Sequence, residues 1–132
     1  MSVEYPARKT LDDKEMFDDI VRAILSVIGD YAVKIILYGS VARGDNTWES
    51  DVDIAMVIRG ELDRSTDKKL TRAVTELDLK YDTVLSVIDI EENHFSRYKY
   101  ELPFYMNIER EGITLWTKES AWLCRNTDTR RR

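Results

Sequence analysis

The chain has 132 residues, 43% of them hydrophobic and 34% charged, the balance of a globular domain and not of a disordered segment. Twenty-five acidic residues against 20 basic ones give a formal net charge of −5, which argues against a broad grip on nucleic-acid backbone, since that needs a basic face. Cys124 is the single cysteine, so an internal disulfide and a paired-cysteine metal site are excluded, and a reducing, cytoplasmic compartment fits best.

A length of this order supports one hydrophobic core. A single domain over 1–132 is expected, with its core about 12–117 and loose termini at 1–11 and 123–132. No apolar run reaches the length of a membrane span. The N-terminus carries Glu4, Arg8 and Lys9 and lacks the apolar segment of a signal peptide.

From Asp12, the residues Phe17, Ile20, Val21, Ile24, Leu25 and Ile28 recur at three- and four-residue steps, which predicts an amphipathic helix. Asp12 or Asp13 can cap it, and Gly29 stands where it should stop. Ala32 to Tyr38, short and β-branched, predicts a strand. Ser40 to Arg43 could begin a short helix, and Asp45 to Glu49 reads as a loop. A second strand is expected over Val52 to Ile58, a helix over Thr66 to Leu79 and a third strand over Tyr81 to Ile90. Glu91 to Tyr98 could form a further helix anchored by Phe95 and Tyr98. Pro103 suits the first turn of the next, closed by Gly112, and Ile113 to Trp116 resembles an edge strand. The alternation of helix and strand predicts an α/β (α+β) domain, a mixed central sheet of three to four strands flanked by helices.

Two acids at the mouth of the second strand need an explanation. Residues i and i+2 of a strand share a face, roughly 6.5–7 Å apart, so Asp51 and Asp53 present neighbouring carboxylates. Like charges so placed are unfavourable unless a cation joins them. Mg²⁺, which takes one or two carboxylates with phosphate and water oxygens, is the natural candidate. Gly39-Ser40 complements them: glycine permits close backbone approach to a ligand, Ser40 adds a hydroxyl, and a turn into a helix exposes N–H groups to phosphate. Asp82, opening the expected third strand, is the preferred third acid for a two-metal scheme. Its rival, Asp89, lies at the far end of that strand on the opposite face.

Gly39-Ser40, ten intervening residues and Asp51-Val52-Asp53 form an intact motif that resembles the polymerase-β-like nucleotidyltransferases. The surrounding "YGSVARGDNTWESDVDIAMVI" is similar to their minimal nucleotidyltransferases in particular. The likeness continues to Tyr81-Asp82, and Pro103 to Trp116 is similar to the closing segment of stand-alone members. The resemblance implies a polymerase-β-like fold that binds ATP with two Mg²⁺ ions. It implies transfer of AMP to an acceptor hydroxyl with release of pyrophosphate. Asp51, Asp53 and Asp82 would be the metal-binding and catalytic residues, and Gly39, Ser40 and Arg43 would hold the nucleotide. Many such proteins pair with a HEPN-domain protein, and some act as antitoxins by AMPylating it.

The remaining residues carry less. Ser40 lacks the G-x-S-x-G context of a nucleophile elbow, and no Gly-Lys-Ser/Thr marks a P-loop. His94 reads as a surface helix residue, Asp45 and Glu49 as solvated loop acids. Tyr98, Tyr100, Phe104 and Tyr105 read as core or an interface, and Arg130 to Arg132 as a loose end. Trp48, an aromatic in a polar loop, could stack on a base or simply pack. Two other functions fit the same residues: a small-molecule, aminoglycoside-like nucleotidyltransferase, and a non-catalytic partner-binding module. Self-association is open. A nucleic-acid substrate ranks last, because the chain is acidic and has no further domain for it.

Overall fold

The computed structural model describes residues 13–47 and 49–119. Trp48, Cys124 and Arg130 to Arg132 lie outside the described residues, as do the expected loose termini beyond 13 and 119.

Helix α1 (Lys14–Ile28) runs into a short 3-10 turn (Gly29–Tyr31), then strand β1 (Ala32–Tyr38). A five-residue helix, α2 (Gly39–Arg43), leads through a loop to β2 (Val52–Ile58). Helix α3 (Arg64–Tyr81) precedes β3 (Leu85–Glu91), and α4 (Glu92–Tyr98), α5 (Pro103–Glu111) and β4 (Ile113–Thr117) complete the order. The four strands form one mixed sheet in the order β3-β2-β1-β4. β2 and β3 are parallel, whereas β1 is antiparallel to both β2 and β4. The parallel pair is possible because α3 supplies the crossover that such strands require.

Period-2 alternation divides the sheet's side chains between two faces. On one face Ile35, Leu37, Val52, Ile54, Met56 and Leu85 meet Phe17, Ile20 and Ile24 of α1 and Leu70 and Leu77 of α3. On the other, Ile36, Ala55, Val57 and Ile90 meet Phe95 of α4 and Ile108 of α5. The nearly unbroken apolar run of β2 follows from this: from Ile54 to Ile58 every residue is buried, because both of its faces are covered. Ile20 is fully buried against the first face. Ile20→Val should therefore lower the unfolding free energy by about 0.5–1.5 kcal/mol, measured by urea denaturation.

The local chemistry explains most boundaries. Asp63 caps α3, its carboxylate accepting the Thr66 N–H at 2.7 Å, which satisfies one of the helix's orphan donors. Glu91 does the same for α4, accepting from the N–H groups of Asn93 and His94. Pro103 sits in the first turn of α5 and Gly112 closes it. Asp13 holds the cap position of α1 without a side-chain cap bond.

The end of α3 departs from expectation. The helix continues to Tyr81, and β3 begins only at Leu85. Tyr81 is retained in the helix because its hydroxyl donates to Asp19 of α1, which Lys80 also reaches at 2.8 Å. Asp82 then ends the helix in the left-handed conformation, φ 50°, with its N–H donated to the Asp78 carbonyl. Aspartate is among the few side chains that tolerate this conformation.

Candidate active site

The motif residues assemble where β1 ends and β2 begins. Tyr38, last in β1, pairs with Asp53 in the antiparallel register, and β1 turns directly into α2 at Gly39. Gly39 has φ 81°, a conformation that L side chains rarely adopt. Its Cα lies against Asp53: a Cβ added there would overlap Asp53 Oδ2 and stand 3.1 Å from Cγ. Glycine is thus required both by the backbone and by the acid beneath it.

Helix α2 is anchored by Val41 and Ala42, which are buried against the α1 face of the sheet. Ser40 is half-buried and Arg43 exposed. The helix ends at Gly44, whose N–H reaches the Ser40 carbonyl at 2.9 Å. The loop that follows is tied internally. Ser50 Oγ accepts the Thr47 N–H at 2.9 Å, Thr47 Oγ1 accepts the Glu49 N–H at 3.2 Å, and the Ser50 N–H reaches the Thr47 carbonyl at 3.0 Å. These bonds deliver Asp51 to the start of β2, where it stays exposed while Asp53 is half-buried.

Electrostatics couple these groups. Burial pushes the Asp53 carboxyl above its ordinary value, and the Asp51 charge pushes it further, with Arg43 opposing. Burial, then the Asp53 charge, raises the Tyr38 hydroxyl. Arg43 is held at the rim by Asp45, at 3.1 Å, and by Glu111 of α5, at 3.5 Å. Phe104 of α5 meets the Tyr38 ring edge-on with centroids 5.6 Å apart, so α5 flanks the site.

The structure therefore brings together Gly39, Asp51 and Asp53, with Ser40 next in the chain and Arg43 within electrostatic reach. It does not bring Asp82 to them. Asp82 caps α3 and is exposed, and the β3 residue beside Asp53 is Ser86. Among the described residues, no three of His, Cys, Asp or Glu gather as a cation site. Asp82 was expected to open the third strand, whereas the chain ends α3 with it and β3 begins at Leu85. Asp89 pairs with Met56, which puts it on the opposite face from Asp53 by alternation. Tyr38 is a neighbour of the site that the sequence could have disclosed, through antiparallel pairing across the α2 connection. Glu111 and Phe104 carried no such signal, being remote in sequence.

The donor set suits a hard cation. Asp51 and Asp53 offer two carboxylates from one strand end, and a magnesium ion takes that number of protein ligands, filling its remaining positions with phosphate and water oxygens. The missing side chain at Gly39 lets the Asp53 carboxylate lie directly against the backbone of the turn.

Mixed sheet, flanking helices and this site define a nucleotidyl-transfer domain. The nucleotidyltransferase domain family matches residues 18–115, and the chain belongs to that family. It is 35% identical over 106 residues to MJ0604 of Methanocaldococcus jannaschii, a candidate protein adenylyltransferase, covering 80% of this chain and 100% of that one. A second candidate protein adenylyltransferase from the same organism, MJ0141, is 31% identical over 74 residues, which cover 56% of this chain and 75% of the relative. Among solved structures, a candidate nucleotidyltransferase from Sulfolobus solfataricus superposes with a TM-score of 0.57 at 18% identity, covering 89% of this chain and 92% of that one. A toxin–antitoxin structure with AMP-PNP superposes with a TM-score of 0.54 at 20% identity, covering 81% and 78%. A structure of the MntA–HpeT toxin–antitoxin, a mutant form, gives 0.56 at 18% identity, covering 81% and 78%. These superpositions establish the common fold. No helix among the described residues is long and apolar enough to cross a membrane.

Proposed function

We propose that this chain transfers AMP from ATP to a hydroxyl of a partner protein, releasing pyrophosphate, within a toxin–antitoxin-like pair. The observation that carries this reading is the contact of Gly39 with Asp53, which joins the glycine-serine turn and the acid pair into one site. The name of the M. jannaschii relative supports a protein acceptor. The toxin–antitoxin neighbour with AMP-PNP supports an adenosine triphosphate and a protein partner. The resemblance drawn from the sequence suggests a HEPN-domain partner.

In this reading Asp51 and Asp53 hold magnesium. When bound, the ion neutralises the triphosphate and acts as a Lewis acid on the phosphoryl oxygens. Gly39 lets the turn close onto Asp53, and Ser40 donates its hydroxyl to a phosphate oxygen. Arg43 adds positive charge after exchanging Asp45 for phosphate while keeping Glu111. The acceptor oxygen forms a bond to the α-phosphorus, the bond from that phosphorus to the bridging oxygen breaks, and pyrophosphate leaves with the electron pair. The acceptor hydroxyl gives its proton to a base or to solvent.

The test is incubation of the chain with α-labelled ATP, Mg²⁺ and the product of the adjacent gene. Label should appear on that protein, and Asp51→Asn should abolish it. No transfer by the wild type, or equal transfer by the variant, would end the catalytic reading. Label on an aminoglycoside in place of the protein would redirect it to a small-molecule acceptor.

A further inference from the structure

The strand register points to a site that holds one divalent cation with the nucleotide and not two, with Ser86 occupying the position from which a further carboxylate would reach it. This inference rests on the nucleotidyl-transfer reading and specifies its metal stoichiometry. Two ions bridging an attacking and a leaving oxygen need more anionic ligands than one ion bound to a triphosphate. Asp51 and Asp53 suffice for one, since magnesium usually keeps several waters and takes phosphate oxygens.

The sheet permits few sources for a third carboxylate. Asp53 has two strand neighbours, Tyr38 on β1 and Ser86 on β3. Paired residues project on the same face, so Ser86 faces the site beside Asp53. Its neutral hydroxyl cannot replace the charge of a carboxylate. Two residues earlier, Val84 contributes only its carbonyl to the sheet, accepting the Val52 N–H at 2.9 Å. Asp82 ends α3 through its backbone N–H and stands before β3 begins at Leu85, and Asp89 lies on the other face of β3. Glu111, on the β4 side, is paired with Arg43 at 3.5 Å. Asp89 is thus turned away and Glu111 already partnered, and among the described residues no three of His, Cys, Asp or Glu gather as a cation site.

The proposal is tested by counting Mn²⁺ bound to the full chain in saturating non-hydrolysable ATP analogue, by electron paramagnetic resonance with calorimetry. The wild type should take up one ion per bound nucleotide. Ser86→Asp should take up two, and Ser86→Asn, similar in size without the charge, should remain at one. Two ions on the wild type would overturn the proposal, as would one ion on Ser86→Asp with its circular dichroism spectrum intact. Should Ser86→Asp fail to fold, the wild-type count decides alone. No uptake of nucleotide by the wild type would overturn the proposed function and this inference with it, whereas nucleotide uptake with two ions removes only this inference.

Discussion

Asp53→Asn should abolish nucleotidyl transfer and at the same time raise the melting temperature of the ligand-free protein at neutral pH. The first effect follows from the loss of one of the two carboxylates that would hold the cation in the proposed site. A Lewis-acid ion supplies several kcal/mol of transition-state stabilisation, so the rate should fall on the order of a thousandfold or more. The second follows from the position of the carboxyl. Burial raises it above its ordinary 3.8, and the neighbouring Asp51 charge adds to the rise. The folded chain then binds more protons at this group than the unfolded chain does, so stability falls as pH climbs through the interval between the two values. The penalty is absent below the ordinary value and complete above the raised folded one. Wild type and variant should therefore converge in stability toward acid and diverge toward neutrality, the variant being the more stable there. Melting curves across that range, with and without Mg²⁺ and an ATP analogue, check both effects. The ligand pair should raise the melting temperature of the wild type alone. Retained transfer, or a variant less stable than wild type at neutral pH, would contradict the assignment of Asp53.

Gly39→Ala is the second large effect. At φ 81° a side chain costs about 1–3 kcal/mol in backbone strain, and here the new methyl also collides with the Asp53 carboxylate. The carboxylate must move, and a displacement on the order of 1 Å at a reacting centre can reduce the rate about a hundredfold. Gly44 provides the control. It has the same φ of 81°, yet nothing lies within 4 Å of an added Cβ. Gly44→Ala should share the loss of stability and keep most of the activity. The difference between the two variants, in melting temperature and in kcat/KM, isolates the contact with Asp53 from the backbone strain. Equal activity in both would mean that the close approach at Gly39 has no part in catalysis.

The legibility of the chain varied with the range of the interactions that decide each part. The apolar spacing in α1 and the β-branched runs of β1 and β2 are local signals, and the elements formed close to where they were expected. Gly39-Ser40 and Asp51-Val52-Asp53 were legible for the same reason, because one hairpin-like connection brings β1 back beside β2. The boundary between α3 and β3 was not. It depends on the bond from Tyr81 to Asp19, whose partners stand 62 positions apart in the chain, and on the αL cap at Asp82. Propensity could not foresee that contact, so a residue read as opening a strand ended a helix.

What the sequence by itself determined is the class of the domain and the acid pair with its glycine-serine turn, since strand alternation and chain reversal act over a few residues. What only the tertiary structure decided is which groups surround that pair: Ser86 through the parallel register, Glu111 and Phe104 through the packing of α5. The physical reason is that a strand's own period sets which face a side chain takes. Its neighbour across the sheet is set by where a distant helix ends.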